Sequence, residues 1–299
     1  MNFFNAIVIG FVQGVGEFLP ISSSGHLVLL YQLFHISGNT VTISIFLHLA
    51  TLFSVLYVYR KEIIELIKHP FCKTNKLLIT ATIPTAILAL LLKGLINSSF
   101  DGNFVIFGFL ITAVLLGIAD YLSESTSLEM QIPALQPNTG IGLCNQYTFK
   151  IKENKEILCS KPQILEQPKS ITNINLSLKQ AFIMGISQGI ACFPGISRSG
   201  TTIATGIILK GDKEEVTTFS FLLSIPIIIG SLIMTLFDLN SSAIRINTFS
   251  LITSCLISFL VGIISIQLIN KVVKKKQLSY FSFYLIGLVF VVLIIKFII

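Results

Sequence analysis

The sequence predicts an all-α integral membrane protein built as an inverted repeat of two halves, each a re-entrant helix-loop-helix followed by three transmembrane helices. Three observations predict it. The chain is apolar throughout: of 299 residues 53% are hydrophobic and 12% charged, and the mean hydropathy is +0.84, beyond the range of an ordinary soluble domain. Its apolar runs are long enough to cross a bilayer, which takes about 20 residues. Two further runs are broken near their middles by Pro, Gly and Ser, at QGVGEFLPISSSGH (13–26) and QGIACFPGISRSGTT (188–202).

Taken in chain order, the first broken segment covers 2–34 and is followed by unbroken runs at 44–59, 77–96 and 104–122. The second broken segment covers 178–209 and is followed by runs at 216–237, 249–269 and 278–298. Irregular backbone at membrane depth survives only where it is buried in protein or lines a cavity, so both broken segments read as re-entrant elements. Each half places Gln-Gly ahead of a Phe, a Pro nearby, then a Ser- and Gly-rich stretch and three spans. Three is odd, so the second half must run inverted relative to the first. The organisation is therefore 1–122 as the first repeat, 123–177 as a polar linker and 178–299 as the second repeat.

Lysine and arginine placement orients the chain. Arg60, Lys61, Lys68, Lys73 and Lys76 follow the first span, and Lys271, Lys274, Lys275 and Lys276 precede the last, so both stretches are expected in the cytoplasm. NSSFDGN and DLNSSAIRIN are poor in lysine and are expected outside, which puts both termini outside, the first broken segment on the outer side and the second on the cytoplasmic side. The linker carries Pro133, Pro137, Pro162 and Pro168 with five lysines and five acidic residues. It reads as a flexible cytoplasmic connector, with alternation around 147–151 also compatible with a small hairpin.

Composition excludes several classes. The net charge of +7 falls beside apolar spans, which is the positive-inside pattern and not a nucleic-acid footprint. No nucleic-acid partner is expected; membrane lipids with anionic headgroups and an anionic substrate are. Five scattered cysteines without a CxxC pair give neither a disulfide framework nor a zinc site, and Cys192 reads as a small buried filler. The first apolar run has no basic region before it and no small-residue cleavage site after it, so no removable signal peptide is expected.

The broken segments carry the chemistry. A charged group at the centre of a membrane helix costs about 3 kcal/mol, so ionisable residues there mark function by default. Gln13 and Glu17, four apart, share one helical face. Pro20 ends that helix, and Ser22, Ser23, Ser24 and Gly25 read as a tight polar loop before a new helix near His26. Singly, these residues could be caps and a satisfied core histidine; together in lipid-grade sequence they point to a site. In the second segment Pro194 and Gly195 break the chain, and Ser197, Arg198, Ser199, Gly200, Thr201 and Thr202 lead into the helix ATGIIL. Arg60 and Arg245 sit at span ends, where snorkelling explains them, but Arg198 does not. A guanidinium recognises phosphate oxygens in a planar fork, and a helix N-terminus beside it is a second anion-binding device. If the loops meet, these groups surround one anion with Glu17 and His26 beside it. Spacing alone does not separate a phosphatase from an anion carrier.

QGVGEFLPISSSGH together with PGISRSGTT, in that order in a chain of eight apolar segments, closely resembles the undecaprenyl-diphosphate phosphatase family, the bacitracin-resistance proteins. FLHLATLFSVLYVYRKEI and FSFLLSIPIIIGSL extend the resemblance over both halves and leave out only the linker. It implies hydrolysis of a C55 polyprenyl diphosphate to the monophosphate plus phosphate, in the bacterial inner membrane, at a site opening to the outer face. A divalent cation is implied, magnesium first and calcium as the alternative. Carried onto this chain, Glu17 is the essential carboxylate, as metal ligand or base. Ser23 and His26 are the nucleophile and its proton partner in either order. Arg198, Ser197 and Thr202 hold the phosphates, with Gln13, Ser22, Ser24 and Ser199 also lining the substrate. The family pattern allows Glu or Gln at position 13, and the Gln found here removes one potential metal-binding charge, so the cation is expected to be held largely by the diphosphate. A homodimer is left open. The rival reading is a polyprenyl-phosphate flippase or anion transporter using the same broken helices.

Overall fold

The computed structural model describes residues 2–36, 40–99, 103–129, 171–238, 247–275 and 277–298. Among them are twelve α-helices and no strand: α1 (Phe3–Phe18), α2 (Ser23–Leu33), α3 (Thr40–Val58), α4 (Arg60–Lys68), α5 (Lys73–Leu91), α6 (Lys93–Ser98), α7 (Asn103–Glu129), α8 (Leu178–Ile190), α9 (Arg198–Ile208), α10 (Lys213–Asp238), α11 (Thr248–Lys274) and α12 (Ser279–Ile298). The linker reading around 147–151 and most of DLNSSAIRIN lie outside the described residues.

Both predicted breaks are present, between α1 and α2 and between α8 and α9, and each pair packs its two helices together. Four helices are long and apolar enough to cross a membrane: Lys73–Leu91, Phe104–Ser123, Lys213–Met234 and Thr248–Lys274. A fifth crossing is available in α3, which bends by 76° into α4. The bend falls where the apolar run meets Arg60, Lys61 and Glu62, side chains that keep α4 out of the apolar slab. The last predicted span forms α12, apolar over Ser279–Ile295. The run predicted to reach residue 96 instead stops at Leu91, and Lys93 and Gly94 open the separate short helix α6.

Small residues set how closely the helices approach. A Cβ added at Gly10 would lie 2.4 Å from the Ser254 carbonyl oxygen, and one at Gly14 2.8 Å from that of Ser258, so α1 lies directly against α11. In the second half, a Cβ at Gly185 would lie 2.1 Å from the Ala81 carbonyl oxygen and one at Gly189 2.8 Å from Leu88, which seats α8 on α5. Such small-xxx-small pairs drive association where apolar burial cannot, because lipid is as apolar as the helix surface. Thr85 adds a hydroxyl that donates to the Gly185 carbonyl at 2.7 Å. Gly185→Ala is therefore expected to destabilise the fold by about 1–3 kcal/mol, since the backbone it meets cannot step aside. Thermal unfolding of the detergent-purified protein checks this against Gly230→Ala, whose Cβ meets nothing within 4 Å and should leave the transition unmoved or slightly raised.

The two halves share more than part order. Gly10, Gln13, Gly14, Phe18, Ile21, Ser22, Ser24 and Gly25 recur as Gly185, Gln188, Gly189, Phe193, Ile196, Ser197, Ser199 and Gly200 at one constant offset without a gap. At the same offset Ser22 caps α2 and Ser197 caps α9, and His35 (φ 51°) and Lys210 (φ 63°) follow their ends in the left-handed region. Packing follows suit: α1 lies on α11 as α8 lies on α5, α3 on α11 as α10 on α5, and α7 against α12.

One end of the bundle collects the basic residues. Lys274 pairs with Glu214 at 3.0 Å, Thr74 donates to the Ile171 carbonyl at 2.6 Å, and Asp120 accepts from both the backbone N–H and the hydroxyl of Ser279. These ties bring the starts of α5, α10 and α12 to the same end as the ends of α7 and α11. Arg60, Lys61, Lys68, Lys73, Lys271 and Lys275 belong to that end.

Candidate active site

The two breaks touch. A Cβ on Gly25 would meet the Cα of Gly195 at 3.0 Å, and one on Gly200 would meet Cβ of Pro20 at 2.9 Å. The Ser199 hydroxyl reaches the Leu19 carbonyl at 3.5 Å. Gly195 makes the approach possible: its φ of +87° favours glycine, and a side chain there would strike the Val105 carbonyl of α7 at 2.4 Å.

Both new helices start earlier than the sequence predicts. Ser23, Ser24 and Gly25 are not loop but the first turn of α2, because the Ser22 hydroxyl accepts from the Gly25 N–H at 3.3 Å and caps the helix. Ser22 itself sits at φ 66°, a strained position for a residue with a side chain. Arg198 likewise opens α9, with Ser197 as cap accepting from the Gly200 N–H at 3.1 Å and its own N–H held by Thr112 at 2.9 Å. Ser23 and Arg198 thus occupy the same first position of two matching helices.

Glu17, 5% exposed, is the hub. Its Oε1 accepts from Arg198 Nη2 at 2.6 Å, and its Oε2 accepts from Ser23 Oγ at 2.8 Å and from Gln13 Nε2 at 3.1 Å. The first half thereby supplies a carboxylate, a hydroxyl and an amide, and the second half the guanidinium that neutralises the carboxylate. Two buried atoms at the hub have no hydrogen-bond partner: Gln13 Oε1 and Arg198 Nη1. Orphaned polar atoms are costly unless something else satisfies them. An acceptor and a donor left open beside one carboxylate suit a cation and an anion arriving together.

The remaining predicted residues fall in two groups. Ser22, Ser24, Ser197 and Ser199 form the rims of the breaks, with Ser22 Oγ 3.3 Å from Ser24 Oγ and Ser197 Oγ 3.4 Å from Ser199 Oγ. Thr202 and His26 are engaged elsewhere. The Thr202 hydroxyl donates to the Arg198 carbonyl at 2.9 Å and bonds Ser220 of α10, so it fixes the Arg198 turn from behind. His26 does not pair with Ser23. Its Nδ1 meets the Ser22 carbonyl at 2.8 Å, its Nε2 meets the Tyr284 hydroxyl at 2.8 Å, and its ring stacks on Tyr284 and edges onto Phe109.

Two contributors escaped the sequence. Tyr284 comes from α12, far along the chain, with nothing in its neighbourhood to mark it. His48 lies on α3 with Nε2 3.5 Å from Glu17 Oε2. The signal that could have found it is the one that found the breaks, a polar ring inside an apolar run, here without a backbone interruption to draw the eye.

Fold and site together define a polytopic membrane protein with a buried carboxylate–guanidinium centre assembled from two broken helices. Residues 6–291 match the model of one protein family, described as bacitracin resistance protein BacA, and the chain belongs to that family. It is 33% identical over 99% of its length to undecaprenyl-diphosphatase 4 of Bacillus thuringiensis subsp. konkukian (strain 97-27), covering 98% of that protein. It is 35% identical to the undecaprenyl-diphosphatase of Thermosipho africanus (strain TCF52B), over 94% of this chain and 96% of the relative. The undecaprenyl-diphosphatase of Carboxydothermus hydrogenoformans is 31% identical, over 95% and 94%.

Proposed function

We infer that the protein is an undecaprenyl-diphosphatase of the bacterial inner membrane, releasing phosphate from the lipid diphosphate and returning the monophosphate carrier to cell-wall synthesis. The observation that carries the reading is the chain of contacts Ser23–Glu17–Arg198 across the two breaks. A nucleophile within hydrogen-bond reach of a base, with the base oriented by a third group, is the geometry of nucleophilic catalysis. A carrier would need the arginine but neither the base nor the nucleophile.

In this reading Ser23 Oγ attacks the terminal phosphorus, its proton passes to Glu17 Oε2, and the anhydride P–O bond breaks to release polyprenyl phosphate. Water then cleaves the phosphoserine, giving inorganic phosphate and restoring the hydroxyl. The leaving group is itself a phosphate and leaves without strong acid assistance, which frees His26 from proton transfer. His26 instead ties the Ser22 turn to Tyr284 and holds the start of α2. Arg198, holding Glu17 through Nη2 and offering its unpartnered Nη1 to the phosphates, neutralises developing charge.

Among the described residues no cluster of three or more His, Cys, Asp or Glu would hold a metal ion on its own, so a divalent cation here would be one shared with the substrate. Glu17 and Arg198 cancel, so a dianionic headgroup gains no net attraction from the empty pair, whereas a cation at Glu17 with Gln13 Oε1 as a second oxygen makes the site positive. Magnesium commonly binds through one or two carboxylates plus substrate phosphates, and it would supply charge neutralisation there. The positive-inside rule assigns the basic end of the bundle to the cytoplasm, so the first break opens from the outer face. The matching caps, glycine pairs and packing partners of the halves support an inverted repeat as the origin of the site.

Phosphate release from undecaprenyl diphosphate by the detergent-purified protein, with magnesium and then with chelator, tests the function. Release with the cation only is expected; a folded, monodisperse sample that releases none would favour the carrier. Acid quenching with labelled terminal phosphate should leave label on the wild-type chain and none on Ser23→Ala. A wild type that turns over without ever carrying label would assign the attack to water.

A further inference from the structure

The environment of His48 is chemically incomplete. Its Nδ1 lies 2.6 Å from the Ser44 carbonyl one turn earlier on α3. A carbonyl only accepts, so Nδ1 carries the ring proton and, in the neutral ring, Nε2 carries a lone pair. That lone pair faces Glu17 Oε2 at 3.5 Å. In that neutral ring two acceptors face one another, and the carboxylate already has its own guanidinium; a protonated ring would instead donate to Glu17. Gln13 adds a third: with its amide nitrogen committed to Glu17 at 3.1 Å, its oxygen is the buried atom without a partner. Glu17 Oε2 and His48 Nε2, contributed by neighbouring α1 and α3, form a close oxygen–nitrogen pair, and the unpartnered Gln13 Oε1 belongs to the amide that touches Glu17.

We propose that His48 is a ligand, through Nε2, of the divalent cation that works with Glu17. The inference rests on the cation reading above and adds to it the residue that completes the site. The Ser44 carbonyl is the outer partner expected of a metal-binding histidine, since it fixes the tautomer and aims the ring. Sequence position hides the cluster, because Gln13 and Glu17 share a helix face while His48 joins them only through the packing of α3 on α1. A nitrogen donor also sets metal preference: manganese and cobalt gain over magnesium and calcium, which favour all-oxygen ligation.

The full-length protein in detergent, loaded with Mn2+ and methylenediphosphonate, is examined by pulsed electron paramagnetic resonance. The expected spectrum carries nitrogen modulation from one imidazole, and 15N-histidine labelling of the wild type changes it. The modulation should vanish in His48→Gln, persist in His26→Gln, and be accompanied in His48→Gln by a Kd for Mn2+ at least roughly 10-fold weaker. Manganese bound to the protein without imidazole coupling, or coupling that survives His48→Gln, overturns the ligand assignment. A protein that binds no manganese in the presence of the diphosphonate overturns the cation reading and the His48 assignment together.

Discussion

Glu17→Gln is expected to lower phosphate release at saturating substrate by about 10²- to 10⁴-fold, the range for loss of a general base. The substitution keeps shape and volume, so the effect isolates charge. Glutamine oxygen still accepts from Arg198, but it does not take the Ser23 proton, and its other arm, now an NH2, donates where Oε2 accepted from Ser23 at 2.8 Å and Gln13 at 3.1 Å. It also leaves the buried guanidinium without a counter-charge, a situation that costs about 3–5 kcal/mol when an ion pair is broken from one side. The variant should therefore melt lower as well as turn over slowly, and the rate is read on the monodisperse fraction. A variant that retains wild-type turnover would remove Glu17 from the chemistry.

Arg198→Ala is expected to cost about 10³-fold or more in kcat/KM, in the range seen when a transition-state arginine is removed from phosphoryl transfer. Arg198→Lys should recover only part of that. Lysine restores the charge but not the planar fork that lets one N–H group hold Glu17 at 2.6 Å while the other is free for phosphate. The split between the constants is informative: loss in kcat identifies charge developing in the transition state, whereas loss confined to KM would identify a residue that only docks the headgroup. Lysine performing as well as arginine would mean that a point charge suffices and that the open Nη1 has no part.

How far the sequence discloses this arrangement depends on the kind of signal. Pro20, Pro194 and Gly195 announce the breaks because Ser, Gly and ionisable residues crowd around them within apolar runs, whereas Pro84 and Pro226, with no such cluster beside them, lie inside the unbroken helices α5 and α10. Glu17 and Arg198 stand out because charge is costly at that depth. Helix starts were legible only to within a turn, because the Ser22 and Ser197 hydroxyls turn what reads as loop into the first turn of a helix. The α3–α4 bend reads in hindsight from Arg60, but a run ending in charge looks the same whether the helix stops or turns. Pairings across the fold were not legible. The Ser23–Glu17 contact, the withdrawal of His26 to Tyr284 and the turning of Thr202 toward Ser220 are fixed by helix packing, which leaves no local trace. His48 is the clearest case, a lone imidazole in an unbroken apolar helix whose meaning comes from the α1 face beside it.

A double-mutant cycle across the two breaks tests most directly whether the halves build one site. Phosphate release is measured for the wild type, Glu17→Gln, Arg198→Ala and the double variant under identical cation and lipid. If Glu17 and Arg198 act as one unit on one phosphate, the double variant falls no further than the worse single variant, as residues acting together are strongly non-additive. Losses that multiply, to a combined fall of about 10⁵-fold or more, would mean that each break serves a separate step, and the single site spanning α1, α2 and α9 would be wrong.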